Sequence, residues 1–430
     1  MRIAVIGAYG LIGSYVAARL VAYGHSVVGV GRDIDAASRR FPALTWTRAD
    51  MAKASVADWV AELAGVEAVI NCAGALQDSP RDDLQAVHVE GLRRLVTACE
   101  QIGVRRLVHF SAAGVAPGRR TPFNTTKLEA ERLLAESRLD WIILRPGLVF
   151  APSAYGGTAL LRGLAGFPGC LPVVFSDSVV QTIGTEDVAI AVTRCLAPGA
   201  PSRVSLDLVH SQALTMVDLV SRLRAWLGLR PAPIVRAPPV VARATALASD
   251  ALAWLGWRSP MRTAALEQVR MGIRGRAEDA LPLDLEVRSF DALLAASPSG
   301  VQERWFARAY FAKPAILICL FTFWLLSGLI GLTVGYREAV AVLTSAGVGA
   351  GLSAAFVVSG SLVDIGLAIL LTWRRTAARA LQGMLLVTAG YLIAGAMVRP
   401  DLWLDPMGPM LKSIPAAFLA IAALAILDER

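Results

Sequence analysis

The stretch RIAVIGAYGLIGSYVAARL, residues 2–20, decides the fold. Ile3 to Ile6 is a short β-branched run that stops at Gly7, and Leu11–Tyr23 has the apolar spacing of a helix. Between them Gly7-Ala-Tyr-Gly10-Leu-Ile-Gly13 forms a GxxGxxG turn, directly after a strand and opening a helix. That placement carries the meaning. One glycine permits the tight turn, another lets backbone approach a pyrophosphate, and the third lets the helix sit close to the strand. The helix N-terminus then offers unpaired N–H groups and a favourable dipole to phosphates. The run superficially resembles a secretion signal, but its three glycines interrupt the apolar stretch and Arg19 follows too soon.

Working outward, Ser26–Val30, Leu44–Trp46, Ala68–Ile70, Leu107–Phe110 and Trp141–Leu144 read as further strands. Val56–Leu63, Leu84–Gln101 and Lys127–Ser137 read as helices between them. Alternating strands and helices predict an α/β fold, a Rossmann-type doubly wound parallel sheet covered on both faces. Past Pro146 the pattern loosens, with helices at Asp187–Leu196 and Thr215–Leu227 around a strand near Val204–Leu208. The expected division is a dinucleotide-binding domain over 1–230, a small helical subdomain and amphipathic linker over 231–312, and an all-α four-helix transmembrane domain over 313–430.

Composition supports that last part. The 430 residues are 55% apolar and 18% charged, with a mean hydropathy of +0.54, which excludes a disordered chain and argues against a purely soluble one. Four apolar segments lie near 314–334, 352–373, 380–398 and 413–427, the last gaining length if Met407–Leu411 contributes. A five-span reading, with Val340–Val348 entering the bilayer, stands beside it. Arg304, Arg308 and Lys313 precede the first segment, and Arg374, Arg375 and Arg379 separate the second from the third. The positive-inside rule puts the N-terminal domain and the C-terminus (Asp428, Glu429, Arg430) on the cytoplasmic side of a cell inner membrane. Asp364 falls inside the second segment, where a carboxylate is costly, and bonding to Ser359, Ser361 or a neighbouring helix is its plain structural role.

The net charge of +8 rests on arginine; Lys53, Lys127, Lys313 and Lys412 are the only lysines. No basic run interleaves with aromatics, so nucleic acid is not an expected partner. The five cysteines are scattered without a CxxC pair and read as reduced thiols. His25, His88, His109 and His210 show no metal-ligand spacing, so no metal is expected.

After the second strand come Gly31-Arg32-Asp33. A glycine stands where NAD sites carry an acid, and Arg32 suits a ribose 2′-phosphate, which favours NADP(H) over NAD(H), with Asp33 pulling the other way. Asp50, after the third strand, is a candidate acceptor for the adenine amine, or else a helix cap.

Together with the glycine turn, four further motifs resemble the extended and atypical short-chain dehydrogenase/reductases. They are Asn71-Cys-Ala-Gly74, Phe110-Ser-Ala-Ala-Gly114, Lys127, and Arg145-Pro-Gly-Leu-Val-Phe150. The likeness covers about 1–230 and is nearest to the NmrA-like and complex I accessory-subunit-like groups. The tail resembles DoxX-like membrane domains, notably in Trp403-Leu-Asp405-Pro-Met-Gly-Pro-Met-Leu-Lys412. The resemblance implies a cofactor set of Gly7, Tyr9, Gly10, Leu11, Ile12, Gly13, Arg32, Asp50, Ala73 and Lys127. It also implies a catalytic serine and lysine at Ser111 and Lys127. In such enzymes a tyrosine four residues before the lysine carries the proton while hydride moves to or from the nicotinamide. That place holds Phe123, which can neither donate nor accept that proton.

Three readings follow. The domain only binds NADP(H); or Tyr155, bordering the expected substrate cleft, is the acid; or the substrate is a quinone or enone that takes its proton from water. The expected protein is a membrane-anchored NAD(P)H-binding oxidoreductase acting on a hydrophobic quinone or carbonyl. The alternative is a non-catalytic NADP(H) sensor, or a stability factor for a membrane redox complex.

Overall fold

The computed structural model describes residues 1–80, 82–406 and 408–428; Met407, Glu429 and Arg430, named above, lie outside the described residues. The chain divides into two compact units, one of Met1–Asp250 with Ser259–Ala307, the other of Ala251–Arg258 with Arg308–Arg430.

In the larger unit β1 (Arg2–Ile6), β2 (Ser26–Gly31), β3 (Thr45–Arg48), β4 (Ala68–Asn71), β5 (Arg106–Phe110) and β6 (Asp140–Pro146) join β11 (Val204–Leu208) in one sheet. Its order is β11-β6-β5-β4-β1-β2-β3, and every pairing is parallel. The order reverses at β1, between β2 and β4, where open α/β sheets bind ligands beyond the strand ends.

Period-two alternation sends successive residues of a strand to opposite faces of the sheet, and the central strands are apolar on both. Ile3 and Val5 enter one core with Ile70, Val108, Phe110, Ile142 and Leu144. Ala4 and Ile6 enter another with Val28, Val69, Leu107 and Ile143. Helices α1 (Leu11–Ala22) and α7 (Thr185–Cys195) cover the first face through Val16, Leu20, Val188 and Val192. Three others, α3 (Val56–Glu62), α4 (Gly91–Ile102) and α5 (Pro122–Ala135), cover the second through Trp59, Leu92, Leu95, Ala130 and Leu134. The short α2 (Ile34–Arg40) follows β2.

A third core gathers the short strands β7 (Leu148–Phe150), β8 (Leu171–Val173), β9 (Val179–Val180) and β10 (Thr182–Gly184) with α6 (Gly156–Ala165) and α8 (Met216–Trp226). Here β10 extends β7, while β12 (Leu214–Thr215) pairs with β9 and β13 (Ile234–Arg236) with β8. Residues 231–300, expected as helical, hold β13, α9 (Pro239–Trp254), α10 (Thr263–Met271) and α11 (Phe290–Ala296). They share these cores: Phe290 and Leu293 enter the third, and Leu283 and Leu285 the first.

The smaller unit is helical. After α12 (Val301–Ala309) come α13 (Ala312–Leu332), α14 (Tyr336–Ser345), α15 (Ala350–Thr372), α16 (Ala377–Val398) and α17 (Pro409–Ala425). Among the described residues three helices are long and apolar enough to cross a bilayer: Val301–Leu332, Ala350–Thr372 and Ala377–Val398. The expected fourth span is realised as α17, whose 17 residues fall short of the ~20 needed for a hydrocarbon core. The fifth candidate, Val340–Val348, is the end of the ten-residue α14 and the turn after it. A Cβ on Gly328 would meet the Ser361 carbonyl at 2.5 Å, so α13 and α15 touch through backbone there. Asp364 is buried; it accepts from Ser327 Oγ at 3.0 Å and from Tyr391 Oη at 3.2 Å, the neighbouring-helix alternative rather than Ser359 or Ser361.

Candidate functional site

The glycine turn is built as its chemistry requires. Gly7 has φ +75°, and a Cβ there would stand 3.1 Å from the Ala73 nitrogen, so β1 and the segment after β4 meet backbone to backbone. Gly10 N–H donates to the Gly7 carbonyl at 2.9 Å and closes the turn. A Cβ on Gly13 would lie 2.3 Å from that carbonyl, so only glycine lets α1 start this close to the strand. Leu11 and Ile12 stand in the first turn of α1, whose N–H groups have no partner within the helix. These residues fit a dinucleotide diphosphate: the cradle is lined by backbone, and a side chain at Gly7 or Gly13 would push apart the backbone that forms it.

The adenosine side is closed by Tyr9, whose ring lies over Gly31 and 6.3 Å from that of Trp46. The Arg32 N–H donates to Tyr9 Oη at 3.3 Å. The Arg32 guanidinium pairs with Asp82 at 2.9 Å, a partner from the loop after β4. Asp50 does not cap the following helix, which Ser55 does; its Oδ1 accepts from Ala52 N–H at 3.1 Å and its carbonyl from Lys53 and Ala54, a turn at the end of β3.

Beyond β4 and β5 the chain builds a buried polar cluster. Lys127 on α5 is 4% exposed and its Nζ donates to the Phe110 carbonyl at 2.8 Å. Burial lowers its pKa to about 8, against the opposing pull of Glu131 and Cys72. Gly74 leaves room beside it, since a Cβ there would come 3.5 Å from Nζ and 3.6 Å from His88 Nε2. His88 lies in a π-helical turn, Ala86–Glu90, ahead of α4. Its Nε2 accepts from Ala75 N–H at 3.1 Å, so Nδ1 carries the proton and faces Thr126 Oγ1 at 2.9 Å. Burial, then Lys127 and His109, lower the His88 pKa to about 2, so the ring stays neutral. Asn71 Oδ1 accepts from Ala73 N–H while Nδ2 meets His109 Nδ1 at 3.1 Å. That arrangement leaves the proton of His109 on Nε2, a buried atom without a hydrogen-bond partner.

Ser111 is buried directly after β5, and its Oγ also lacks a partner. A buried hydroxyl left unsatisfied is expensive, and a bound group would satisfy it. Phe123 occupies the second position of α5, which Thr121 caps and Pro122 opens. Its ring sits edge-on to His88 at 5.9 Å. Tyr155 stands elsewhere, at the N-terminal cap of α6, where its carbonyl accepts from Thr158. Sequence reasoning missed the roles of His88, His109 and Thr126; the only signal was their polarity within apolar surroundings. All five cysteines are free thiols, and no metal-binding cluster occurs among the described residues.

With this geometry in place, comparison with known proteins is informative. Residues 7–197 match the NAD(P)H-binding family and residues 321–421 the DoxX-like family. An uncharacterized protein of Mycobacterium tuberculosis is 28% identical over 251 residues, 58% of this chain and 25% of that protein. The match thus spans about a quarter of the relative's length. The photosystem II assembly factor Ycf39 of Synechocystis is 26% identical over 227 residues, 53% of this chain and 64% of the factor. An NADPH-dependent quinone oxidoreductase from Escherichia coli superposes with a TM-score of 0.52 at 18% identity, covering 68% of this chain and 98% of its own. That likeness is one of fold. The chain therefore joins an NAD(P)H-binding domain, matched over residues 7–197, to a DoxX-like domain, matched over residues 321–421.

Proposed function

We propose that the protein is a membrane-anchored reductase that binds NADP(H) and reduces a quinone or another hydrophobic carbonyl compound. The observation that carries this reading is the pairing of a fitted cofactor cradle with a proton site that lacks its usual hydroxyl. Ser111 Oγ is buried and unpartnered, Lys127 is held against the carbonyl of the preceding residue, and Phe123 fills the tyrosine place. NADPH, when bound, supplies the hydride. Lys127 would hold the nicotinamide ribose, and Ser111 would donate its hydroxyl proton to the substrate oxygen as a hydrogen bond. Ala73 and the turn Gly7–Gly13 would hold the diphosphate. The Arg32 guanidinium would take the 2′-phosphate, releasing Asp82 as it does. A quinone suits this set, because its reduced oxygen takes a proton from water and needs no tyrosine. Tyr155 is the candidate acid for a carbonyl substrate that does need one.

The arginines Arg374, Arg375 and Arg379 support an inner-membrane protein with its N-terminal domain and C-terminus cytoplasmic. A tether of this kind keeps the cleft near the lipid in which such substrates concentrate. The second reading is a non-catalytic NADP(H) sensor or stability factor for a membrane redox complex, favoured by Phe123 and by the likeness to an assembly factor. Purified full-length protein with NADPH and a panel of quinones decides between them. NADPH oxidation on addition of a quinone is the expected result; saturable NADPH binding without turnover across the panel overturns the reductase reading and leaves the sensor.

A further inference from the structure

A cavity of about 530 Å³ lies within the larger unit, a size that suits a small ligand. Its walls are the turn at Phe175–Ser178, the end of β13 at Arg236, and the segment that follows α10 up to Arg274. Three observations concern its chemistry.

The first is charge. Arg236, Arg270 and Arg274 line the cavity against a single acid, Asp177. Arg270 pairs with Glu267 at 2.5 Å, whereas Arg236 and Arg274 have no carboxylate partner among the described residues. The second is strain. Phe175 has φ 49°, a region that a bulky aromatic residue rarely enters, in a turn closed by Ser178 N–H on its carbonyl at 2.9 Å. Such conformations persist at ligand sites because the surroundings enforce them. The third is position. Arg119 Nη1 donates to the Gly272 carbonyl at 3.3 Å, and a Cβ on Gly114 would stand 3.6 Å from the Arg274 carbonyl. The loop that follows Ser111 therefore rests against the segment that forms one wall of the cavity. Val173 and Met271 add apolar surface.

We propose that this cavity takes the anionic end of a carbonyl substrate, an oxyanion on an aliphatic stem. The guanidiniums of Arg236 and Arg274 bind the oxyanion, and the apolar lining receives the stem. The assignment of the bound molecule as substrate rests on the reductase reading above; the site itself does not.

The test is calorimetric titration of the full-length protein, held in amphipol, with hexyl phosphate, hexanoate, inorganic phosphate and hexanol. Hexyl phosphate or hexanoate is expected to bind at least about tenfold more tightly than hexanol, with the tighter of the two identifying the oxyanion. The variant R236A/R274A is expected to lose at least about tenfold of that affinity while its NADPH affinity stays within about twofold. The milder Asp177→Asn, which removes the opposing charge, is expected to tighten binding and keeps the test open should the double variant fail to fold. Equal affinity for hexanol, or no change in both variants, overturns the site. Inorganic phosphate binding as tightly as hexyl phosphate overturns the stem. NADPH titration of the same sample separates the two failures: absence of NADPH binding defeats the reductase reading, whereas NADPH binding without anion binding defeats the cavity assignment alone.

Discussion

Burying Lys127 costs stability. Burial lowers its pKa to about 8, below that of an unfolded lysine, so the folded protein carries this charge at a cost below pH 8. Between about 8 and the unfolded value of 10.5 the unfolded chain binds the extra proton, and this group's contribution to stability rises with pH. Cofactor binding should run the opposite way. NADPH affinity is expected to fall by about tenfold from pH 7 to 9.5 as the ammonium is lost, and Lys127→Met should flatten that profile, both read by calorimetry. Arg32→Ala should weaken NADPH by roughly tenfold or more and leave NADH nearly unchanged. Asp82→Asn, which frees the guanidinium, should shift the NADPH-to-NADH ratio the other way. Phe123→Tyr restores the hydroxyl at the helix position where the family pattern has it. Ketone reduction by that variant, absent from the parent, would show that the hydroxyl alone was missing; no gain would place the defect in the surrounding geometry.

At the scale of elements, the closest packing lies where glycine is required. Gly13→Val should cost about 1–3 kcal/mol through the clash with the Gly7 carbonyl, seen as a lower melting temperature together with lost NADPH binding. Gly328→Val should instead loosen α13 from α15, lowering the melting temperature in detergent and leaving NADPH affinity within about twofold. The strands and most helices were legible from sequence because each is a local pattern: a buried parallel strand is an unbroken apolar run. The start of α5 was less so, since Pro122 with Thr121 as its cap opens the helix five residues before Lys127. The glycine turn, Ser111 and Lys127 were legible for the same local reason. The polar cluster behind them was not. Asn71 reaches His109 and His88 reaches Thr126 across 38 residues of chain, and only the stacking of β4, β5, α4 and α5 brings them together. The shortness of α17 was legible as well, because the apolar stretch from residue 413 is itself short.

For the whole molecule, acid should be the more damaging direction of pH. His88 and His109 are buried and neutral, with pKa values pushed far down by burial first and by Lys127 next in the case of His109. Below the ordinary histidine value of 6.5 the unfolded chain takes up protons that the folded one refuses, so stability present above 6.5 is lost as the pH falls. The melting temperature of the full-length protein should therefore drop between pH 6.5 and 4, and His88→Gln should shallow that slope. Membrane fractionation tests the other unit: the intact chain is expected to sediment with membranes and to leave them only in detergent. Recovery in the supernatant after a salt wash would contradict the anchored reading.

The ring of Tyr9 lying on Gly31 has a consequence for how coenzyme choice can change over generations. An acid at position 31 would be the direct route toward the unphosphorylated coenzyme, yet the Cβ of any residue there would come within 2.2 Å of that ring. Gly31→Asp alone forces the Tyr9 ring off its seat, and Tyr9→Ala alone strips the cover from the pocket without supplying a new contact. The swap is easier for lineages that lose the aromatic first or acquire both changes together, so the order of mutation would guard the proposed preference for NADP(H).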